Sequence, residues 1–500
     1  MSPELVLPAA TTLPSAPVLL AATLGGLAAA ALVLVLLRRR PEAFAPLVVL
    51  VLPFRLPISS GGRTVNLLIP LYVVVTAGTA NLVLDALRSR REGRGAPAHD
   101  PVGVRAPHPS LRDPRSFLTP DGVQWLLLAA VALYALQTIY SADHAKGAEN
   151  IAFFYVPFAL LFVLLRRVRW TQQVLVACLA VAAALAVVFA GIGFVEYARK
   201  SLFLNPKVVA ANQYDNYFRV NSLFFDPNIY GRFLALVMVA VSAALLWCTR
   251  RRDVLIASAV LAWLVAALVT SFSQSSIAAL LLGLALLAAW RWNARAAAYV
   301  AVAVIVLGGA LVLLAPASLH FGLKGSGGST SNATSGRTKL ISGGLELFAK
   351  RPIEGYGSGS FETEYKRHGH ADSENATSAS HTIPITVAAE QGILGLALYV
   401  ALLVASFVVL FRGAGRSPPR MALAACFAAL VLHTLTYADF LEDPFTWALL
   451  AIGVSLAAGG RHGWEAGADA RDGGDAGASR RPGGASEPPE PEPAAPAVAK

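Results

Sequence analysis

The chain has 500 residues, 56% of them apolar and only 14% charged, with 41 Lys and Arg against 30 Asp and Glu for a net charge of +11. Soluble domains are about half apolar and about a quarter charged, so this composition excludes a water-solvated globule and points to a chain solvated mostly by lipid. The positive charge sits in short Arg clusters between apolar runs rather than along one face, which excludes a nucleic-acid footprint and carries topology instead.

Apolar runs of about twenty residues recur along the chain, each long enough to cross a hydrocarbon core of about 30 Å as a helix. The first, at 18–37, has neither an early basic region nor a small-residue cleavage site, so a retained span is expected rather than a signal peptide. It ends in Arg38, Arg39 and Arg40, which the basic-inside bias places in the cytoplasm. A short, proline-interrupted run at 44–57 follows, then one at 65–87 that leads into a Pro-, Gly- and Arg-rich cytoplasmic loop reaching residue 120. Further spans are expected at 123–140, 151–165, 171–195, 227–247, 254–269, 276–290, 299–314, 392–411, 421–437 and 445–458.

Alternating sides in this order puts every dense Arg cluster inside, with 12 to 13 spans; the run at 44–57 decides between the two counts. The expected fold is an all-α integral membrane protein with one long, partly helical outer loop. Its parts are N-terminal helices and the cytoplasmic loop (1–120), a central bundle carrying an outer loop at 196–226 (121–315), the long outer loop (316–391), C-terminal helices (392–459) and a disordered tail (460–500). Cys178, Cys248 and Cys426 lie in or beside apolar runs without a C-x-x-C pair, so neither a disulfide nor a zinc site is expected.

Chemistry-bearing residues collect in the outer segments. Arg219 precedes Phe225-Asp226-Pro227-Asn228-Ile229-Tyr230-Gly231-Arg232, which runs straight into a span. Arg near a lipid boundary needs a partner or a ligand, and Arg219 is open to both readings; Asp226 before Pro227 is a helix cap or a ligand contact. The hairpin 270–276, with Ser273, Ser275 and Ser276, offers hydroxyls to the same side. In the long loop, Arg337 is expected in the first turn of a helix whose apolar face is Leu340, Ile341, Leu345 and Phe348, where an anion would offset its clash with the helix dipole.

The run Gly355-Tyr356-Gly357-Ser358-Gly359 permits tight turns but is no phosphate loop, because no Gly-Lys-Ser/Thr follows. His381 can take a proton from a hydroxyl near neutral pH, with Glu390 or the helix start to orient it. His370, Asp372 and Glu374 offer a possible cation cluster, but neither metal nor cofactor is expected. His433, Asp439, Glu442 and Asp443 read as loop and cap residues.

These blocks, in this order, resemble the O-antigen ligase and O-antigen polymerase superfamily of membrane glycosyltransferases of the GT-C type, from about 171 to 411. The resemblance implies transfer of a glycan from an undecaprenyl-pyrophosphate donor to a glycan or lipid-linked glycan acceptor, on the outer face of the bacterial cytoplasmic membrane. Membrane lipids are then the other partners. It also implies that Arg219 and Arg337 hold the pyrophosphate and that His381 activates the acceptor, with Asp226, Asn228, Arg232, Ser273, Tyr356 and Glu390 completing the substrate site. The chain departs from the family in carrying His381-Thr382 for His-Asn and Ser273-Gln274 for Ser-Arg. Rival readings are a transporter or flippase, disfavoured by the lack of internal repeats and of ionisable groups within the spans, and a non-catalytic assembly component.

Overall fold

The fold is known from a computed structural model, which describes residues 16–60, 63–91, 114–203, 218–292, 329–369, 382–437 and 439–459. The basic loop at 92–113, residues 204–217 of the loop at 196–226, the expected span at 299–314, the residues His370, Asp372, Glu374 and His381, and the tail from 460 lie outside the described residues. The backbone of Arg337 is described, its side chain is not.

The chain opens with α1 (Ala16–Arg39) and the short α2 (Phe44–Val51), followed by an antiparallel hairpin of β1 (Leu56–Ser60) and β2 (Arg63–Leu67). Then come α3 (Ile69–Arg91), α4 (Pro120–Thr138), α5 (His144–Asn150), which continues through a π-helical turn into α6 (Val156–Arg166), and α7 (Gln172–Arg199). The centre is formed by α8 (Pro227–Leu245), α9 (Arg251–Ser271) and α10 (Gln274–Arg291). After these stand α11 (Ser329–Lys350), α12 (Phe361–Arg367), α13 (Ile383–Phe411), α14 (Pro418–Thr436) and α15 (Pro444–Gly459). Among the described residues eight helices are long and apolar enough to cross a membrane, and the protein is an all-α integral membrane protein with one small hairpin.

Local chemistry sets the helix starts. Thr119, Thr171, Asp226 and Ser273 each accept a backbone N–H of the first turn of α4, α7, α8 and α10. At the opposite ends, Arg38 and Arg39 close α1, Arg166 closes α6 and Arg291 closes α10, where cations complement the helix dipole. Arg291 lies over the Trp247 ring at 5.8 Å and Trp290 meets Phe411 at 5.1 Å, so the C-terminal ends of α8, α10 and α13 share one end of the bundle.

The expected span at 44–57 is not a transmembrane helix. The helical stretch Pro41–Val51 is about 16 Å long at 1.5 Å per residue, and helix ends before Pro53, which has no N–H to give. The chain continues extended, and Phe54 meets Phe189 of α7 edge-on at 5.6 Å. Non-helical backbone at this depth is tolerated because protein covers it: Leu52 is 3% exposed and Leu68 fully buried.

The most buried helix is α8, and it packs on α10 through small residues. A Cβ on Gly231 would lie 2.7 Å from Ser276 Oγ, and one on Gly283 would lie 2.5 Å from Val239. Where lipid tails are as apolar as the side chains, such close backbone approach is what holds helices together. It also draws the polar ends of α8 and α10 to within hydrogen-bonding distance.

Three expectations for the long loop and the helix that follows it are corrected. Helix α11 starts at Ser329, so Arg337 is not in its first turn but well inside the helix, and the helix-dipole argument does not apply there. Its buried residues are Gly343, Gly344 and Leu347; of the expected face Leu340, Ile341 and Phe348 are half-buried, and Leu345 is 47% exposed. The reason is Gly344, whose missing side chain lets the helix settle against Ile385 and Phe361. Helix α13 begins at Ile383, before the expected start at 392, and Gly392 interrupts it with φ 64° and ψ −161°.

Candidate functional site

At the end of the bundle away from the Arg clusters, the start of α8, the α9–α10 turn and the end of α14 build a polar network. Arg219 donates from Nε to the Ser271 carbonyl (3.2 Å) and from Nη2 to Asn228 Oδ1 (3.2 Å), which fixes the plane of its guanidinium. Asn228 Oδ1 also accepts from Ser273 Oγ at 2.9 Å, and Ser273 Oγ lies 2.7 Å from Ser276 Oγ. His433 Nε2 lies 3.2 Å from both Ser275 Oγ and Ser276 Oγ. Asp226 caps α8 on the Asn228 N–H at 2.6 Å. Tyr437 donates to the same carboxylate, and its hydroxyl is held well above the usual phenol range by burial first and by the charges of Asp226 and Asp439 next.

Behind this network, Arg232 pairs with Asp443 at 2.9 Å, with the side chains 2% and 0% exposed. Asp443 also caps α15 on the Phe445 N–H. The backbone around Arg219 is fixed from α7: Glu196, fully buried, accepts the N–H groups of Phe203 (3.0 Å), Asn221 (3.3 Å) and Ser222 (2.7 Å).

The glycine run is docked a short way along the same end. Glu390 of α13 accepts the Gly359 N–H (2.9 Å) and the Phe361 N–H (3.0 Å), and its carbonyl accepts the Gly357 N–H (2.8 Å). Ser141 Oγ donates to the Ser358 carbonyl, and the Ile393 N–H reaches the Pro352 carbonyl across the break at Gly392. Gly355 has φ 69°, and a Cβ there would fall 2.2 Å from the Glu390 carbonyl oxygen, so this turn requires glycine. Tyr356 is buried in a small cluster with Leu347, Phe361 and Tyr365, with Arg351 over its ring at 4.6 Å.

A cavity of about 90 Å³ lies between α4, α13 and the α14–α15 loop, with Tyr134, Tyr155, Tyr399, Glu390, Asp439 and Glu442 in its wall. Glu442 Oε1 accepts from Asn150 Nδ2 at 2.9 Å, and Asn150 also reaches the Tyr134 hydroxyl at 2.8 Å. Burial, with Asp439 and Glu390 adding to it against the opposing charges of Lys146 and Arg55, pushes the Glu442 carboxyl up to about 7.

The structure thus brings Arg219, Asn228, Ser273 and Asp226 together, places Arg232 behind them in an ion pair, and puts Tyr356 and Glu390 at the docked glycine loop. The chain resumes at Thr382, directly after His381. Sequence reasoning missed Glu196, His433 and Asp443 as members of the site. For Asp443 the only signal was its cap position before Pro444; Glu196 and His433 are single polar residues in apolar runs, a hint of a buried partner and no more. Among the described residues no group of three His, Cys, Asp or Glu is arranged to hold a metal ion.

No curated protein matches the chain. Residues 259–400 match the family model described as O-Antigen ligase, a segment that holds the α9–α10 turn, α11, the glycine run and most of α13, while Arg219, Arg232, His433 and Asp443 fall outside it. Over that segment the chain is similar to the O-antigen ligase family.

Proposed function

We propose that the protein transfers a glycan from an undecaprenyl-pyrophosphate carrier to an acceptor hydroxyl on the outer face of a bacterial cytoplasmic membrane, with inversion and without a metal. The match supports ligase or polymerase function in general. The observation that carries the finer reading is Arg219, held in one orientation by Ser271 and Asn228 against the α9–α10 turn, which lies within the matched segment. A guanidinium fixed by two hydrogen bonds presents a preorganised donor edge, and such donors are worth most where charge develops in the transition state.

In this reading Arg219 and Arg337 flank the pyrophosphate. His381 takes the proton of the acceptor hydroxyl as its oxygen attacks the anomeric carbon. The bond from that carbon to the pyrophosphate breaks, and the leaving oxygens carry off the electron pair against the two guanidinium groups. Helix α11 lies over the glycine run and α13, where it shields the lipid-side approach to this chemistry.

Purified protein incubated with undecaprenyl-pyrophosphate oligosaccharide and candidate acceptors, with products read by mass, tests the proposal. Transfer is expected in the presence of a chelator. Arg219→Ala and His381→Ala are each expected to lower the rate at least about 100-fold. Full transfer by either variant would overturn the assignment, and abolition by the chelator would overturn its metal independence.

A further inference from the structure

The network around Arg219 runs on past the serines to His433, a fully buried imidazole on α14 that the chemistry proposed above does not use. Hydrogen-bonding capacity alone fixes how this network is wired. A guanidinium has only donors, so the Asn228 atom that meets Arg219 Nη2 at 3.2 Å is the amide oxygen. That oxygen only accepts, and Ser273 Oγ, 2.9 Å away, must give it its single O–H. Ser273 is then an acceptor for Ser276 Oγ at 2.7 Å. The Asn228 carbonyl, 3.3 Å from Ser276 Oγ, competes for that second O–H, and in neither case is it left for His433. His433 Nε2, 3.2 Å from Ser276 Oγ and from Ser275 Oγ, therefore donates. A cation at one end of the chain of bonds thus fixes the proton of an imidazole at the other.

Packing keeps this chain of bonds intact. Helix α14 lies against α8 and α10, which carries His433 to the serines. Gly231 leaves the space they need: a Cβ there would lie 2.7 Å from Ser276 Oγ and 3.0 Å from Ser273 Cβ. Ser273, Ser276 and His433 are all fully buried, and in such surroundings linked hydrogen bonds polarise and strengthen one another. What the chain of bonds decides is the orientation of the Asn228 amide. A flipped amide would set Nδ2 against the guanidinium, donor against donor, and Arg219 would lose one of the bonds that hold it.

We infer that His433 is a positioning residue: its Nε2–H anchors the hydroxyls that turn Asn228 Oδ1 towards Arg219, and through them it fixes the plane of the guanidinium. The effect on rate rests on the transferase reading; the tautomer of His433 and its place in the chain of bonds do not.

Two measurements on the full-length protein in nanodiscs keep the two ideas apart. In the first, nitrogen NMR of protein labelled at its histidines, with His433→Gln to assign the signal, reads which ring nitrogen carries the proton. Nε2 is expected to be protonated in the parent. A bare Nε2 would break the wiring at its first link and overturn the inference, whatever the protein's activity.

In the second, transfer is measured for His433→Leu, Ser276→Ala, the two combined, and His433→Gln, each below its own melting temperature. His433→Leu is expected to lower kcat about ten-fold, less than the outright loss of a transition-state donor, with the acceptor KM unchanged. Ser276→Ala is expected to do the same, and the combined variant no more than either alone, because both interrupt one chain of bonds. His433→Gln, whose amide N–H takes the place of Nε2–H, is expected to restore most of the rate. A parent-like kcat in His433→Leu, additive losses in the combined variant, or a Gln variant as slow as the Leu variant would overturn the inference. A parent that transfers no glycan would sink the transferase reading, and the NMR measurement would still decide the wiring.

Discussion

Two polar regions occupy the same end of this bundle, and they are finished differently. Around Arg219 side chains meet side chains: the guanidinium meets Asn228, Asn228 meets Ser273, the serines meet His433, and the buried Arg232 has its own Asp443, although the Asn221 amide and Arg232 Nη1 are left without hydrogen-bond partners. Around Glu442 the wall leaves a cavity and a tyrosine hydroxyl without a partner. Each region nevertheless leans on one buried glutamate that gathers backbone N–H groups from an irregular loop, Glu196 for the first and Glu390 for the second. The lesson is that a carboxylate placed on a rigid helix fixes a loop without secondary structure.

The comparison breaks most sharply at Asp443. Asp443→Ala leaves Arg232 buried and without its countercharge, and breaking such a pair costs about 3–5 kcal/mol. The variant is expected to lose most of its thermal stability in detergent, and Arg232→Met with Asp443→Leu is expected to restore it. A single variant as stable as the parent would show that the first region is not closed. Next is Glu196→Ala, which strands three N–H groups at roughly 1 kcal/mol or more each and frees the backbone that carries Arg219. Its melting temperature is expected to fall, and its transfer rate to fall further than stability alone explains. Glu196→Gln, with only one oxygen to accept, is expected to lie between.

A smaller effect is expected at Gly392. A Cβ there would come 2.1 Å from the Ile353 carbonyl oxygen, and the positive φ adds about 1–2 kcal/mol for any L residue. Gly392→Ala is thus expected to loosen the glycine run from α13 and to destabilise by about 2 kcal/mol or more. Protease cleavage near 355–360 tests this, with faster cutting in the variant; unchanged cutting would separate the break in α13 from the docking of the loop.

How far the sequence reached follows from what each residue depends on. The helices and their caps were legible because apolar runs and a Thr, Asp or Ser before a first turn act locally, and Asp226 before Pro227 is such a case. Arg219 and Ser273 were legible as site candidates because charge and hydroxyls at the lip of a span need a partner. The Arg232–Asp443 pair was not, since the two lie on helices far apart in the chain and only packing brings them together. Leu345 of α11 was misplaced for a related reason: periodicity favoured it, whereas Gly344 permits the closer approach and leaves Leu345 outside, with Leu340, Ile341 and Phe348 of the expected face half-buried.

The subtlest contrast between the two regions is their response to pH. Glu442 faces the carboxylates of Glu390 and Asp439 and the cations of Lys146 and Arg55, and its carboxyl is pushed from 4.5 up to about 7 by burial above all. Between these two values the folded protein binds a proton that the unfolded chain has released. Stability is therefore greatest below the lower value, falls as pH rises towards about 7, and is level above it. Melting curves in buffers from pH 4.5 to 8 are expected to show that decline in the parent. Glu442→Gln, which cannot ionise, is expected to show a shallower one, while Ser273→Ala in the other region keeps the parent's slope. An unchanged slope in Glu442→Gln would mean that this carboxyl titrates like an exposed one, and the wall of the cavity would then be wetter than its enclosure by three tyrosines implies.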